Sequence, residues 1–362
     1  MQRILLLSKY GEKGASSRVR SIQYVDFLES QNFVITKAEL FSNSYLEALY
    51  KTGKSKKLLI VFSYVRRLYI LLSGIVNKKY DLFWIEKELF PWIPFFFESI
   101  FYRLSIKIFV DYDDPVFHIY DKHSSLIIRR MLGGKIPKIM KYSSFVSVSS
   151  HYMKDFVINS GVSQNKVKVI PPGIKYSDFR KKIESKKQSK CTIGWIGSPS
   201  ATPYLFVIED ALRLIKRRYD VEFLLIGAGK NIPKRIGFKR IKWSRENEIT
   251  ELTKFDIGIM PLSDDYSSIA RDSHKIVKYM SASIPYVSSA VKESLLDTQH
   301  GVNGFIAQDV SEWVAYLSLL IENENLRKEM GKNGYKTAMK KNCTRKVQKD
   351  IQQILDRLIS KH

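Results

Sequence analysis

The feature that most constrains this chain is an alternation of short apolar, β-rich runs with segments of helical periodicity, interrupted once. β-rich runs fall at residues 4–7, 33–36, 82–85, 108–112 and 145–148. Helical patterns lie between them, with Val19, Ile22, Val25 and Leu28 on one face. Such alternation predicts a parallel sheet covered on both faces. It stops near Val167-Lys-Val-Ile-Pro-Pro-Gly173, and the polar, basic stretch 180–190 follows, which reads as an interdomain linker. It restarts at 192–196, 223–226, 257–260, 286–288 and 305–307. The tail from Glu312 to Ile359 reads as helical, with a break near Gly331 and Gly334. A chain of 362 residues is also long for one core. The expectation is an α/β protein of two doubly wound, Rossmann-like domains facing across a cleft. The expected boundaries are 1–172 for the first domain, 173–191 for the linker, 192–345 for the second domain and 346–362 for a helix returning toward the first. Sheets of this kind bind ligands at the carboxyl ends of their strands.

Charge narrows the class of partner. The chain has 60 basic and 36 acidic residues, a formal net charge of +24. That excess favours phosphorylated substrates, nucleic acid or an acidic membrane surface, although Lys is abundant throughout. The two cysteines, Cys191 and Cys343, give neither a metal-binding spacing nor a disulfide framework, and a reducing cytoplasm is the simplest compartment. The apolar run at the N-terminus is too short for a signal peptide. No run is expected to reach membrane-spanning length; the nearest, 89–101, is broken by two prolines and Glu98.

Three regions carry candidate chemistry. Arg271, Lys275 and Lys278 recur at i, i+4 and i+7, which puts three cations on one helix face, while Ile276, Val277 and Met280 can face a core. With Asp272 or Ser273 as N-cap, the cations fall in the first turns, against the helix dipole. The face is either an anion site or a solvated basic surface. The loop from Lys9 to Arg18 holds Gly11, Gly14, Ser16, Ser17 and Arg18, and suits phosphate or sugar oxygens or a plain strand-to-helix turn. The loop opening the second domain holds Gly197, Ser198, Ser200 and Thr202, where backbone N–H groups can approach a diphosphate. Gly227 and Gly229 read as turn residues. Neither loop matches G-x-G-x-x-G.

Seven segments, in order, carry a resemblance. They are Gly14-Ala-Ser-Ser-Arg-Val-Arg20, Trp84-Ile-Glu-Lys-Glu-Leu-Phe-Pro-Trp92, Asp111-Tyr-Asp-Asp-Pro-Val-Phe-His118, Ile193-Gly-Trp-Ile-Gly-Ser-Pro-Ser200, Asp256-Ile-Gly-Ile-Met-Pro-Leu262, the helix from Lys275 to Met280, and Gly301-Val-Asn-Gly-Phe-Ile-Ala307. The chain resembles family 4 type nucleotide-sugar glycosyltransferases, whose fold is GT-B. The resemblance implies a sugar donor held by the second domain, a glycan acceptor held by the first, retention of anomeric configuration, and no metal or other cofactor. It implies donor contacts from Gly14, Ser17, Arg18, Gly197, Ser198 and Lys278, with Arg271 and Lys275 on the diphosphate. At the ends of two first-domain strands, His118, Asp113 and Asp114 can orient the sugar or the acceptor hydroxyl, with a structural histidine as the alternative for His118, and either Glu86 or Glu88 can contact the acceptor. Capping, turn formation and ion pairing with Lys87 are the structural alternatives for these carboxylates.

Departures from the family pattern are specific. Two glutamates usual around the donor helix are replaced by Ala270 and Lys278, and Asp272 would have to supply a carboxylate from a shifted position. The usual Arg and Lys after the second domain's first strand are absent; Ser198-Pro-Ser-Ala-Thr202 stands there. A catalytically silent glycosyltransferase-like partner therefore stays open. A nucleic-acid-binding protein would explain the charge, but no such motif is present and no nucleic acid is expected. Cations beside apolar and aromatic residues across 54–101 imply peripheral contact with an anionic membrane surface, on the cytoplasmic face, beside a lipid-linked glycan. The alternative is that these helices pack onto the first sheet.

Overall fold

A computed structural model gives the structure of the chain and describes all residues except 53–56, 105, 176–178, 180–189, 245, 264–273 and 361–362. Two units result: Met1–Gly173 with Arg345–His362, and Ile174–Thr344. Most of the stretch read as a linker lies outside the described residues.

The first unit contains β1 (Gln2–Leu7), β2 (Phe33–Lys37), β3 (Leu82–Glu86), β4 (Lys107–Tyr112), β5 (Phe145–Val148) and β6 (Val167–Val169). All pair in parallel, in the order β2-β1-β3-β4-β5-β6. The connecting helices are α1 (Ala15–Arg20), α2 (Val25–Glu29), α3 (Asn43–Thr52), α4 (Lys57–Val76), α5 (Phe95–Arg103), α6 (Phe117–Asp121), α7 (Leu126–Leu132), α8 (Lys135–Tyr142) and α9 (His151–Asn159). Successive strand residues point to opposite faces, so strands covered on both sides must be apolar throughout. Leu5, Leu7, Phe83, Ile85 and Val110 pack with Leu71, Phe101 and Ile139 from α4, α5 and α8. Ile4, Leu6, Trp84 and Phe109 pack with Val25 and Leu28 of α2 on the other face.

The second unit contains β7 (Cys191–Ile196), β8 (Val221–Ile226), β9 (Lys239–Ile241), β10 (Ile257–Met260), β11 (Tyr286–Ser289) and β12 (Phe305–Ala307), parallel in the order β12-β11-β10-β7-β8-β9. Its helices are α10 (Glu209–Arg218), α11 (Glu248–Leu252), α12 (His274–Ser281), α13 (Lys292–Asp297), α14 (Val310–Glu322) and α15 (Glu324–Asn342). Ile193, Trp195 and Phe223 pack with Leu212 and Leu317, while Ile226 and Met260 pack with Ile276 and Met280. The last helix, α16 (Thr344–Ile359), belongs to the first unit from Arg345 on, where Val347, Ile351, Ile354, Leu355 and Leu358 join the face lined by Ile4 and Leu6. The expected class, α/β with two doubly wound parallel sheets, is the one observed.

Four details differ from the sequence reading. Two strands did not stand out in the sequence: β6 and β9 are three-residue edge strands whose mixed polar and apolar residues hide the pattern. The helix expected to hold Val19 to Leu28 is two helices, α1 and α2, joined by a 3-10 turn at Ile22–Tyr24. No break occurs at Gly331 and Gly334; α15 runs through both, and a Cβ at Gly331 would stand 2.1 Å from the Ser283 carbonyl oxygen, so the glycine is where the helix lies closest to its neighbour. Among the described residues, one helix is long and apolar enough to cross a membrane by length and composition alone: Leu58–Val76, 19 residues of mean hydropathy 1.7. Arg66 and Arg67 interrupt that run in the sequence. In the fold Arg67 is buried and donates to the Ala38 carbonyl at 2.9 Å and to that of Ser8, which anchors α4 on the sheet.

Buried ions hold the first unit together. Arg20 donates to Asp111 from Nε at 2.9 Å and Nη2 at 2.6 Å, and from Nη1 to the Ile170 carbonyl at 2.5 Å. Burial alone would lower the Arg20 pKa, but Asp111 outweighs it and holds the guanidinium above its ordinary value. Lys135 of α8, fully enclosed, donates to Glu88 and Glu98 at 2.7 Å each and to the Phe90 carbonyl at 2.6 Å. Burial raises the Glu98 pKa, Lys135 opposes the rise and Glu88 adds to it, leaving the carboxyl at about 7.

Two predictions follow from these pairs. Asp111→Ala strands a buried guanidinium and lowers unfolding free energy by about 3–5 kcal/mol in chemical denaturation; a loss under about 1 kcal/mol would refute the bracing role. Glu98 holds its proton more tightly folded than unfolded, so stability falls as pH rises from about 4.5 to about 7 and levels off above. The loss is on the order of 3 kcal/mol, and Glu98→Gln removes that slope. An unchanged slope in the variant would assign it to other groups.

Candidate functional site

A doubly wound sheet opens a crevice where its strand order reverses. That point lies between β1 and β3 in the first sheet and between β7 and β10 in the second.

In the first unit, Glu86 ends β3 and faces the loop after β1. Its carboxylate accepts from the Lys9 N–H at 2.9 Å, from Ser16 Oγ at 2.8 Å and from Ser17 Oγ. Ser17 Oγ in turn accepts from the Tyr10 N–H at 3.1 Å. Both residues are buried, so Glu86 and Ser17 form the frame of this loop rather than its outward surface. Gly14 is buried at the start of α1, and Arg18 donates to the Glu12 carbonyl at 3.1 Å.

Lys87 follows with a left-handed backbone, φ 65°, uncommon for a residue with a side chain. Its Nζ lies 2.8 Å from Asp113 and 3.4 Å from Asp114. Burial would lower the Lys87 pKa, but the two carboxylates outweigh it and raise it. Burial likewise raises Asp113, and Lys87 overcomes that to bring it down to about 2. Asp114 is the outward member, with 63% of its side chain exposed against 15% for Asp113. Glu88 is turned inward, accepting from Tyr120 Oη at 2.9 Å beside Lys135. His118, on α6, bonds Asp121 through Nδ1 at 2.9 Å and Tyr152 Oη through Nε2 at 2.8 Å. Those two partners set the ring's orientation.

In the second unit, the Gly197-Ser198 turn leaves β7. Gly227, at the end of β8, has φ 78°, and a Cβ there would stand 2.5 Å from the Gly197 carbonyl oxygen, so the two turns close on each other. Thr202 Oγ1 accepts from the Gly229 N–H at 2.8 Å, and the Ser198 and Ser200 hydroxyls lie 2.9 Å apart. Lys275, in the first turn of α12, sets its Nζ 4.5 Å from the centre of the Trp195 ring. The same Nζ would be 3.1 Å from a Cβ at Gly197. Lysine, indole and glycine turn thus meet at the second sheet's reversal point. An ammonium beside small turns suits a phosphate oxygen.

The three cations proposed for one face do not act alike. Lys278 is paired with Glu248 of α11 at 2.7 Å, and Glu248 also accepts from Trp243 Nε1. Arg271, Asp272 and Ala270 lie outside the described residues. Sequence reasoning did not find Lys135, Glu248, Trp243 or the Arg20–Asp111 pair; the ionic partners of Lys135, Glu248 and Arg20 are distant in the chain, and no local spacing marks them.

Residues 190–323 match the family model described as Glycosyl transferases group 1. No curated protein matches the chain. Among solved structures, a glycosyltransferase from Rickettsia africae ESF-5 is 13% identical, with 100% of this chain and 99% of that one covered at TM-score 0.70. Anabaena Alr3699/HepE in complex with UDP-glucose is 15% identical, with 99% and 100% covered at TM-score 0.71. Sucrose-phosphate synthase from Thermosynechococcus elongatus is 11% identical, with 100% of each chain covered at TM-score 0.70. At such identities the likeness establishes the fold. The chain has the two-domain, Rossmann-like α/β fold of the GT-B glycosyltransferases, and the match over 190–323 supports a glycosyltransferase.

Proposed function

We propose that this chain is a retaining, family 4 type glycosyltransferase that moves a sugar from a uridine-diphosphate sugar to a glycan acceptor carried on a lipid. Its place would be cell-surface polysaccharide synthesis (capsule, O-antigen or lipopolysaccharide) on the cytoplasmic face of the inner membrane. The observation that carries the reading is Lys275 beside Trp195 and the Gly197 turn, within the segment that matches the family model. The UDP-glucose complex of the Anabaena neighbour supports the donor class.

In this reading Lys275, with Arg271, neutralises the diphosphate without a metal. The bond from the anomeric carbon to the diphosphate oxygen breaks as the acceptor oxygen bonds that carbon from the same face. The acceptor proton passes to the departing phosphate oxygen, and cationic groups stabilise its charge. Asp114 and His118, at the carboxyl end of the first sheet, are the groups assigned to the acceptor side. The Lys278–Glu248 pair supports a second reading, a silent partner that binds donor without turnover, because a cation stands where the family carries a carboxylate.

Lys275→Ala should lower affinity for UDP-sugars by about ten- to a hundredfold, the loss of one charged hydrogen bond. Arg271→Ala should do the same, and Arg271→Lys should also weaken binding if the contact is two-pronged. Calorimetric titration with UDP-glucose and related donors, beside a transfer assay on lipid extracts, reads both. Wild-type affinity in folded variants returns the helix face to solvent. Binding without transfer or hydrolysis selects the silent partner.

A further inference from the structure

The length of α4 conceals two apolar faces. Ile60, Tyr64, Arg67, Leu71 and Gly74 recur at helical spacing and turn toward the sheet. Tyr64 Oη bonds the Pro91 carbonyl at 2.6 Å, and Leu71 is fully buried. Half a turn away, Phe62, Val65, Tyr69 and Leu72 recur at intervals of three, four and three, and all are exposed. Phe62 is 66% and Tyr69 72% exposed. A surface helix of a folded unit ordinarily shows charge on its outer face; this one shows aromatic and aliphatic groups. Tyr64 ties α4 to the loop leading into α5, where Phe96 and Phe97 stand 81% and 65% exposed. Both helices cover the same face of the first sheet.

Exposed apolar surface on this scale marks an interaction site. We propose that the outer face of α4 and the start of α5 form a bilayer-docking surface that lies in the headgroup region of an anionic membrane. Lipid is the occupant because exposed cations border the apolar groups: Lys78 and Lys79 follow α4, and Arg103 ends α5, in a chain of net charge +24. Aromatic groups edged by lysine and arginine match the boundary between acyl chains and anionic headgroups. The buried Arg67, held by two backbone carbonyls of the first unit, keeps α4 lying on the surface rather than across the bilayer. Of the region first marked by sequence, Lys54 and Lys56 lie outside the described residues. The surface stands independently of sugar transfer.

The test is flotation of the full chain with vesicles of phosphatidylcholine alone or with a third phosphatidylglycerol, at low and high salt. Phe96→Ser with Phe97→Ser, and separately Phe62→Ser with Tyr69→Ser, alter only exposed side chains, and circular dichroism checks folding. The expected result is binding to the anionic vesicles, reduced at least about tenfold by either pair, with the Trp92 region moving to a less polar fluorescence on binding. Failure of the wild type to float overturns the proposal. So does binding that salt abolishes but neither pair affects, which is plain electrostatic adsorption. Loss of self-association in the variants, without vesicle binding by the wild type, assigns the face to a second copy of the chain.

Discussion

The first unit depends on one buried ion pair. Arg20 ends α1, Asp111 lies near the end of β4, Ser147 of β5 donates to the same carboxylate, and the Ile170 carbonyl just past β6 accepts from the same guanidinium. Both side chains are almost wholly enclosed, so each charge is tolerable only while the other is in place. The planar guanidinium and its fixed donors demand one geometry. That geometry sets where α1 starts, and therefore where the loop after β1 must run. Glu86 then fastens this loop from the neighbouring strand. The carboxyl edge of the first sheet is thus a rigid ionic frame, from which Asp114 projects.

The second unit reaches the same kind of edge by different means. Its turns after β7 and β8 touch through backbone, made possible by missing side chains at Gly197 and Gly227. A close-packed turn leaves room for a ligand's oxygens to approach N–H groups, and Lys275 brings charge to it. The indole of Trp195 lies beneath the ammonium and helps fix the cation's position. Lys278, one turn further on, pairs with Glu248. Two lysines on one short helix therefore have different electrostatic surroundings, decided by which neighbouring strand or helix each one meets.

The same contrast runs through α4. Its composition is that of a membrane span, yet Arg67 and Tyr64 bind it to the first sheet. The outer stripe is left apolar, at odds with an ordinary water-facing helix and consistent with a function at a boundary between phases.

Period and punctuation made the architecture legible from sequence. Most of the strands stand out because strands buried on both faces must be apolar along their whole length; β6 and β9, only three residues long at the sheet edges and carrying lysines, escape that rule. The glycine turn at Gly197 and the cation at Lys275 were also visible, as local motifs on either side of a predicted strand and helix. What only the tertiary structure decided was the partner of each charged group. Glu86 and Glu88 read as outward acids at a strand end, but one is taken up by Ser16, Ser17 and the Lys9 N–H, the other by Lys135 and Tyr120. Gly331 and Gly334 read as a helix break, but they are the places where α15 lies against the Ser283 carbonyl and Met280. Periodicity is a property of neighbours along the chain and is written in the sequence; ion pairing and close approach join residues tens to more than a hundred positions apart, and only packing brings them within reach.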